Sequence, residues 1–172
     1  MAATAAIVLG TLSLDVGIRI VSGVSSSAKN IAGLMGFIKE KGYNSEMFRI
    51  LENTDIEATI NVINLFITEL DDINDNTPSS LMQCIKNIYQ TVNDVENELC
   101  KIKERLEYNK SVKYFSYIRT FGFKNSMKRI QKFKIVLEER WNLLRQTLEL
   151  KQHLKKDHIN RQSLFEDNKE TK

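Results

Sequence analysis

The chain is 172 residues long, enough for one domain with a real hydrophobic core. One proline, seven glycines and a high content of Leu, Ile, Lys, Glu and Asn leave few helix breakers and point to an all-α fold. The net charge of +3 and two cysteines outside any CxxC spacing exclude a disulfide scaffold and predict a reducing, cytoplasmic setting.

The first predicted element runs from about 5 to 41. It is apolar, carries five of the seven glycines with Gly42 just beyond it, and has a polar patch at Ser25, Ser26 and Ser27 that leaves one helix or two open. Gly42 reads as its C-cap. The N-terminus lacks a basic region ahead of the apolar stretch, so no secretory signal is expected. A short amphipathic piece follows at 46–52. Thr54 and Glu57 then read as a capping box opening a second helix over 55–74, with Ile56, Ile60, Ile63, Ile67 and Leu70 on one face.

Pro78, with Thr77 as cap, opens a third helix over 78–108. Leu81, Ile85, Ile88, Val92, Val95, Leu99, Ile102 and Leu106 alternate four-three without a break, a stripe built to pack on neighbouring helices. An aromatic connector with Tyr114, Phe115, Tyr117, Phe121 and Phe123 follows, interrupted by Gly122; a short extra helix is expected between helices 3 and 4. Asn125 or Ser126 caps a fourth helix over 125–153, with Ile130, Phe133, Leu137, Trp141, Leu144 and Leu148 as its stripe. Residues 155–172 read as a polar tail or the start of a linker. The expected architecture is an up-down four-helix bundle over 1–154, ahead of a long coiled-coil dimer.

Catalytic signatures are missing. His153 and His158 are five apart, poor spacing for one metal; there is no P-loop, dinucleotide fingerprint or nucleophile elbow. Asp71, Asp72 and Asp75 do not make an EF-hand. No cofactor, no metal and no enzyme activity are therefore expected. Cys84 and Cys100 fall beside the third helix's stripe, as buried thiols do.

Charge is unevenly distributed. Residues 44–99 hold eleven acidic and two basic side chains, and residues 101–134 hold eleven basic and two acidic. Either the two blocks attract each other inside the bundle, or the basic one docks on something anionic. Its members are Lys101, Lys103, Arg105, Lys110, Lys113, Arg119, Lys124, Lys128, Arg129, Lys132 and Lys134. Anionic lipid and single-stranded nucleic acid both suit basic side chains among aromatics; with no RNA-binding motif present, nucleic acid is disfavoured.

Within the first element, Ile7, Val8, Leu9, Leu12, Leu14, Val16, Ile18, Ile20, Val21 and Val24 form a nearly membrane-length apolar run around Asp15 and Arg19. Those ten apolar residues favour insertion by roughly 3–6 kcal/mol and the two central charges oppose it by roughly 5–7 kcal/mol. The balance is against a constitutive span and leaves a segment that is buried in a bundle and inserts when released. A central core helix is the other reading of the same run.

These features together resemble the N-terminal bundle of mixed-lineage kinase domain-like proteins and the wider HeLo-type cell-death domains. The resemblance covers roughly 5–152. It rests on Val95, Leu99 and Ile102 ending one long helix, the aromatic bridge from Tyr114 and Phe115 to Phe121, and the last helix with Ile130, Phe133, Leu137, Trp141 and Leu144. It implies a cell-death executor, held inactive by a regulatory domain following Lys172. On activation the bundle oligomerises and relocates from cytoplasm to membrane. The basic residues above then bind anionic phospholipid, and the 7–24 segment perturbs the bilayer. A non-enzymatic helical adaptor that binds a partner protein is the alternative.

Overall fold

The computed structural model describes residues 2–41, 45–70, 77–111 and 123–167, with side chains described within 17–40, 47–70, 77–108 and 123–157. Among the described residues there are five α-helices: α1 (Ala2–Lys41), α2 (Ser45–Thr54), α3 (Ile56–Thr68), α4 (Ser79–Ser111) and α5 (Lys124–Asp167). The all-α expectation holds.

The α4 stripe is the centre of the core. All eight of its predicted members are buried, and the six from Ile85 to Ile102 are fully buried. The α3 isoleucines Ile56, Ile60, Ile63 and Ile67 are buried as well. On α5, Ile130, Leu137 and Leu144 are buried, while Phe133, Trp141 and Leu148 are half-buried at the rim. An edge-to-face contact of Phe66 on Trp141, with ring centroids 4.9 Å apart, joins α3 to α5.

Side-chain pairs fix the relative directions of α1, α3, α4 and α5. Gly23 packs on Tyr89, Asn30 Nδ2 donates to Glu96 Oε1 at 2.8 Å, and Lys103 Nζ sits 5.3 Å from the Phe37 ring centroid. Each of these pairs is 66 residues apart in sequence, so α1 and α4 run parallel. Against α5 the numbers move in opposite directions: Cys84 with Thr147, Thr91 with Arg140, Glu98 with Arg129. α4 and α5 are therefore antiparallel. α1 and α3 are also antiparallel, through Ser25 Oγ to Asn64 Oδ1 at 2.7 Å and Lys39 to Glu57 at 3.9 Å.

Several sequence expectations need correction. The serine patch does not interrupt α1; Ser22 folds its hydroxyl back on the Arg19 carbonyl, Ser25 reaches α3 and Ser27 is buried, so the helix absorbs all three. The Thr54–Glu57 capping box does not form. Thr54 is the last residue of α2, and its hydroxyl donates to the Leu51 carbonyl at 2.7 Å. Asp55, in the left-handed region at φ 48°, makes the joint between α2 and α3 and gives α3 no side-chain cap. α3 ends at Thr68 rather than 74, where the Glu69 N–H closes back on the Leu65 carbonyl. Pro78 lies one position before α4 and supplies its first carbonyl acceptor to Met82 N–H, instead of being the first helical residue. α5 starts at Lys124, which leaves Ser126 inside the helix and buried. The segment expected as a polar tail is helical as far as Asp167. The expected short helix between the third and fourth long helices, the Gly42 cap, Asp71, Asp72 and Asp75 lie outside the described residues.

Two glycines carry a stability prediction. Gly33 and Gly36 are exposed on α1, and a Cβ at either would meet nothing within 4 Å. Alanine costs up to ~1 kcal/mol less than glycine in a helix interior. Gly33→Ala and Gly36→Ala should each raise the urea midpoint, and the double variant should raise it further; a lowered midpoint would contradict the open surface placed there. Gly23 is different, because a Cβ there would come 2.7 Å from the Tyr89 ring.

Candidate functional site

The C-terminal half of α4 and the N-terminal half of α5 lie side by side, antiparallel, and bring most of the described basic block together. The members are not equivalent. Lys101 and Arg129 both bind Glu98, Lys101 Nζ at 3.4 Å and Arg129 Nε at 3.1 Å. Lys103 pairs with Glu107 at 3.9 Å while lying over Phe37, and Lys134 pairs with Glu138 at 3.3 Å. Arg105 is exposed. Lys124, Lys128 and Lys132 are exposed, and among the described residues they make no ion pair. Their four-residue spacing puts them on one face of α5. The side chains of Lys110, Lys113 and Arg119 lie outside the described residues.

Both readings of the charge division therefore have members. Lys101 and Arg129 neutralise an acidic residue within the bundle, whereas Lys124, Lys128 and Lys132 present unneutralised charge to solvent.

Glu98 is the residue that sequence reading passed over. Its side chain is 3 % exposed, yet it is ionisable. Burial alone pushes its pKa up, but Ser126, Lys101 and the Arg129 guanidinium outweigh burial and hold it below the ordinary carboxylate value. The Ser126 hydroxyl is fully buried beside this carboxylate without a hydrogen bond of ordinary geometry. A signal was present in the spacing: position 98 is three after Val95 and four before Ile102, which places it on the stripe's face. Glu98, Lys101 and Arg129 line a polar cleft of about 490 Å³ between α4 and α5, together with Asp94, Glu104 and Phe133.

The depressed pKa has a consequence for stability. An acid with a lower pKa folded than unfolded binds more protons unfolded as pH falls, so folding is favoured above the unfolded value, about 4.3. That contribution is lost as pH drops through the folded value. Thermal melts between pH 7 and pH 3 should show wild type losing stability through this window, and Glu98→Gln losing less. Equal slopes for the two proteins would remove Glu98 from the account.

The apolar run of α1 is only partly placed. Ile7, Val8, Leu9, Leu12, Leu14 and Val16 belong to the α1 backbone, with side chains outside those described. Ile20 and Val24 are buried in the core, Val21 is half-buried against it, and Ile18 is 55 % exposed. Ile18 and Val21 line an apolar groove of about 260 Å³ with Ile67 and Leu70. Among the described residues, no helix is long and apolar enough to cross a membrane.

Both cysteines are free, Cys84 buried beside Thr147 and Cys100 half-buried. Burial, with Glu96 and Glu104 close by, pushes the Cys100 thiol up against the opposing charge of Lys103. Among the described residues no group of three His, Cys, Asp or Glu side chains is arranged to hold a metal ion. Compared with known proteins, the chain matches no family model, no curated protein and no solved structure.

Proposed function

We propose that this chain is an up-down helical bundle that binds anionic phospholipid through its basic face, oligomerises and permeabilises the membrane, as bundles of the HeLo and mixed-lineage kinase domain-like type do. The observation that carries the reading is the line of exposed lysines Lys124, Lys128 and Lys132 with no acidic partner among the described residues. Charge left unneutralised on one helix face is what an anionic surface attracts. In this reading the protein is cytoplasmic at rest, needs no catalytic residue or cofactor, and is restrained by a regulatory domain following Lys172. Killing requires the α1 segment to leave the bundle, because Ile20 and Val24 are core residues that reach a bilayer only when α1 separates from α3 and α4.

Co-flotation tests the binding step. Protein should float with vesicles containing 30 mol % phosphatidylserine at low salt and remain at the bottom with pure phosphatidylcholine. Absence from both floating fractions contradicts the reading.

A second reading, a non-enzymatic adaptor, has its own observation. Leu143, Leu150 and Leu154 stand 50 %, 64 % and 70 % exposed on α5 at seven- and four-residue spacing. An outward apolar stripe of this kind suits a partner helix. Replacing the exposed Leu143, Leu150 and Leu154 with glutamine separates the two, since an adaptor then loses its partner while the membrane-active reading keeps permeabilisation.

A further inference from the structure

We infer that Glu98 is an internal brake on the basic face: its carboxylate occupies Lys101 and Arg129, and an anionic headgroup must compete with it to engage them. The inference rests on the lipid-binding reading and concerns how strongly that site binds.

The geometry carries it. Glu98 Oε1 accepts from Arg129 Nε at 3.1 Å and Glu98 Oε2 from Lys101 Nζ at 3.4 Å, so one carboxylate bridges α4 to α5 and holds two cations at once. The acid is buried at 3 % exposure, while its partners are 50 % and 56 % exposed. Lys101 and Arg129 thus have the accessibility of lipid-binding groups but face inward to a fixed anion. Lys128, one position before Arg129 on the same turn of α5, has no such partner among the described residues. One carboxylate against two cations leaves the triad one net positive charge, so what Glu98 withholds is direct contact of Lys101 and Arg129 with a headgroup phosphate. The face therefore reads as three free lysines with two guarded cations beside them. The cleft lies open at this point, so a phosphate could reach the cations once the carboxylate let go.

Displacing Glu98 should strengthen binding through these two residues specifically. Each basic group near an anionic surface is worth roughly fivefold in affinity. Glu98→Asp keeps the net charge and withdraws the carboxylate by one methylene, so any gain it gives does not come from total charge. Glu98→Gln removes the charge outright, and Glu104→Gln removes an equal charge from the same cleft without freeing a paired cation.

The test is binding of the full chain to vesicles of 30 mol % phosphatidylserine in phosphatidylcholine, with inorganic phosphate as a soluble competitor to tell a headgroup from a free anion. The brake predicts tighter binding for Glu98→Asp, roughly threefold or more. It predicts that Arg129→Gln costs under twofold in wild type but about fivefold in the Glu98→Gln background, a coupling that additive charges do not give. Should Glu98→Gln fail to fold, Arg129→Gln set against Lys128→Gln in the wild-type chain decides: the brake predicts a clearly smaller loss for Arg129. Additive effects, with Glu98→Asp unchanged and Arg129→Gln as costly as Lys128→Gln, overturn the brake and leave the lipid reading standing. Failure of wild type and every variant to bind overturns both.

Discussion

Leu99→Ala should lower the unfolding free energy by about 3 kcal/mol, within the 2–5 kcal/mol range typical of emptying a filled core site. Leu99 is fully buried in the α4 stripe, and α4 is the helix that packs on both α1 and α5. Removing its side chain leaves a cavity in the core, and close-packed neighbours have little freedom to close it. Urea unfolding followed by far-ultraviolet circular dichroism measures this as a lowered midpoint with an unchanged slope. Leu150→Ala is the comparison: Leu150 is 64 % exposed on α5, and truncating it should shift stability by less than about 0.5 kcal/mol. Similar losses for the two would mean that α4 is not the organising helix.

Neutralising Lys124, Lys128 and Lys132 together with glutamine should weaken binding to anionic vesicles by about a hundredfold, from roughly 1 kcal/mol per basic residue. The three share a face of α5 and have no acidic partner among the described residues, so each contributes its full charge. The matched control removes equal charge from paired positions: Lys101, Lys103 and Lys134 are held by Glu98, Glu107 and Glu138. That triple should lose no more than about tenfold, because ammonium groups already engaged by carboxylates make fewer direct contacts with a headgroup. Equal losses would show that total charge, not the α5 face, governs binding. Both triples should fold, since lysine-to-glutamine changes barely alter helix propensity.

How far the sequence reached follows from which forces acted locally. The α4 stripe was legible because eight apolar residues at strict four-three spacing have one way to be buried together. The α3 isoleucines were legible for the same reason. Helix ends were harder, since capping depends on backbone angles that side-chain order does not dictate. Thr54 and Glu57 have capping-box spacing, but the left-handed Asp55 turns Thr54 back toward Leu51. The helical course of α5 to Asp167 was not legible, because a polar segment looks the same in sequence whether it is helix or tail. The basic face was visible as composition; the division between Lys124, Lys128 and Lys132 and the paired cations was not. For Arg129 that division depends on Glu98, brought to it from 31 residues away by the antiparallel contact of α4 and α5. The parallel contact of α1 with α4 is likewise a property of tertiary packing, which periodicity within one helix cannot express.

The measurement that bears most directly on the account is dye release from phosphatidylserine-containing vesicles by the purified chain, oligomerised through a fused inducible dimeriser. The account predicts release from these vesicles on addition of the inducer, none from pure phosphatidylcholine, and loss of release in the Lys124, Lys128 and Lys132 triple-glutamine variant. Intact anionic vesicles after forced oligomerisation of folded protein would contradict it.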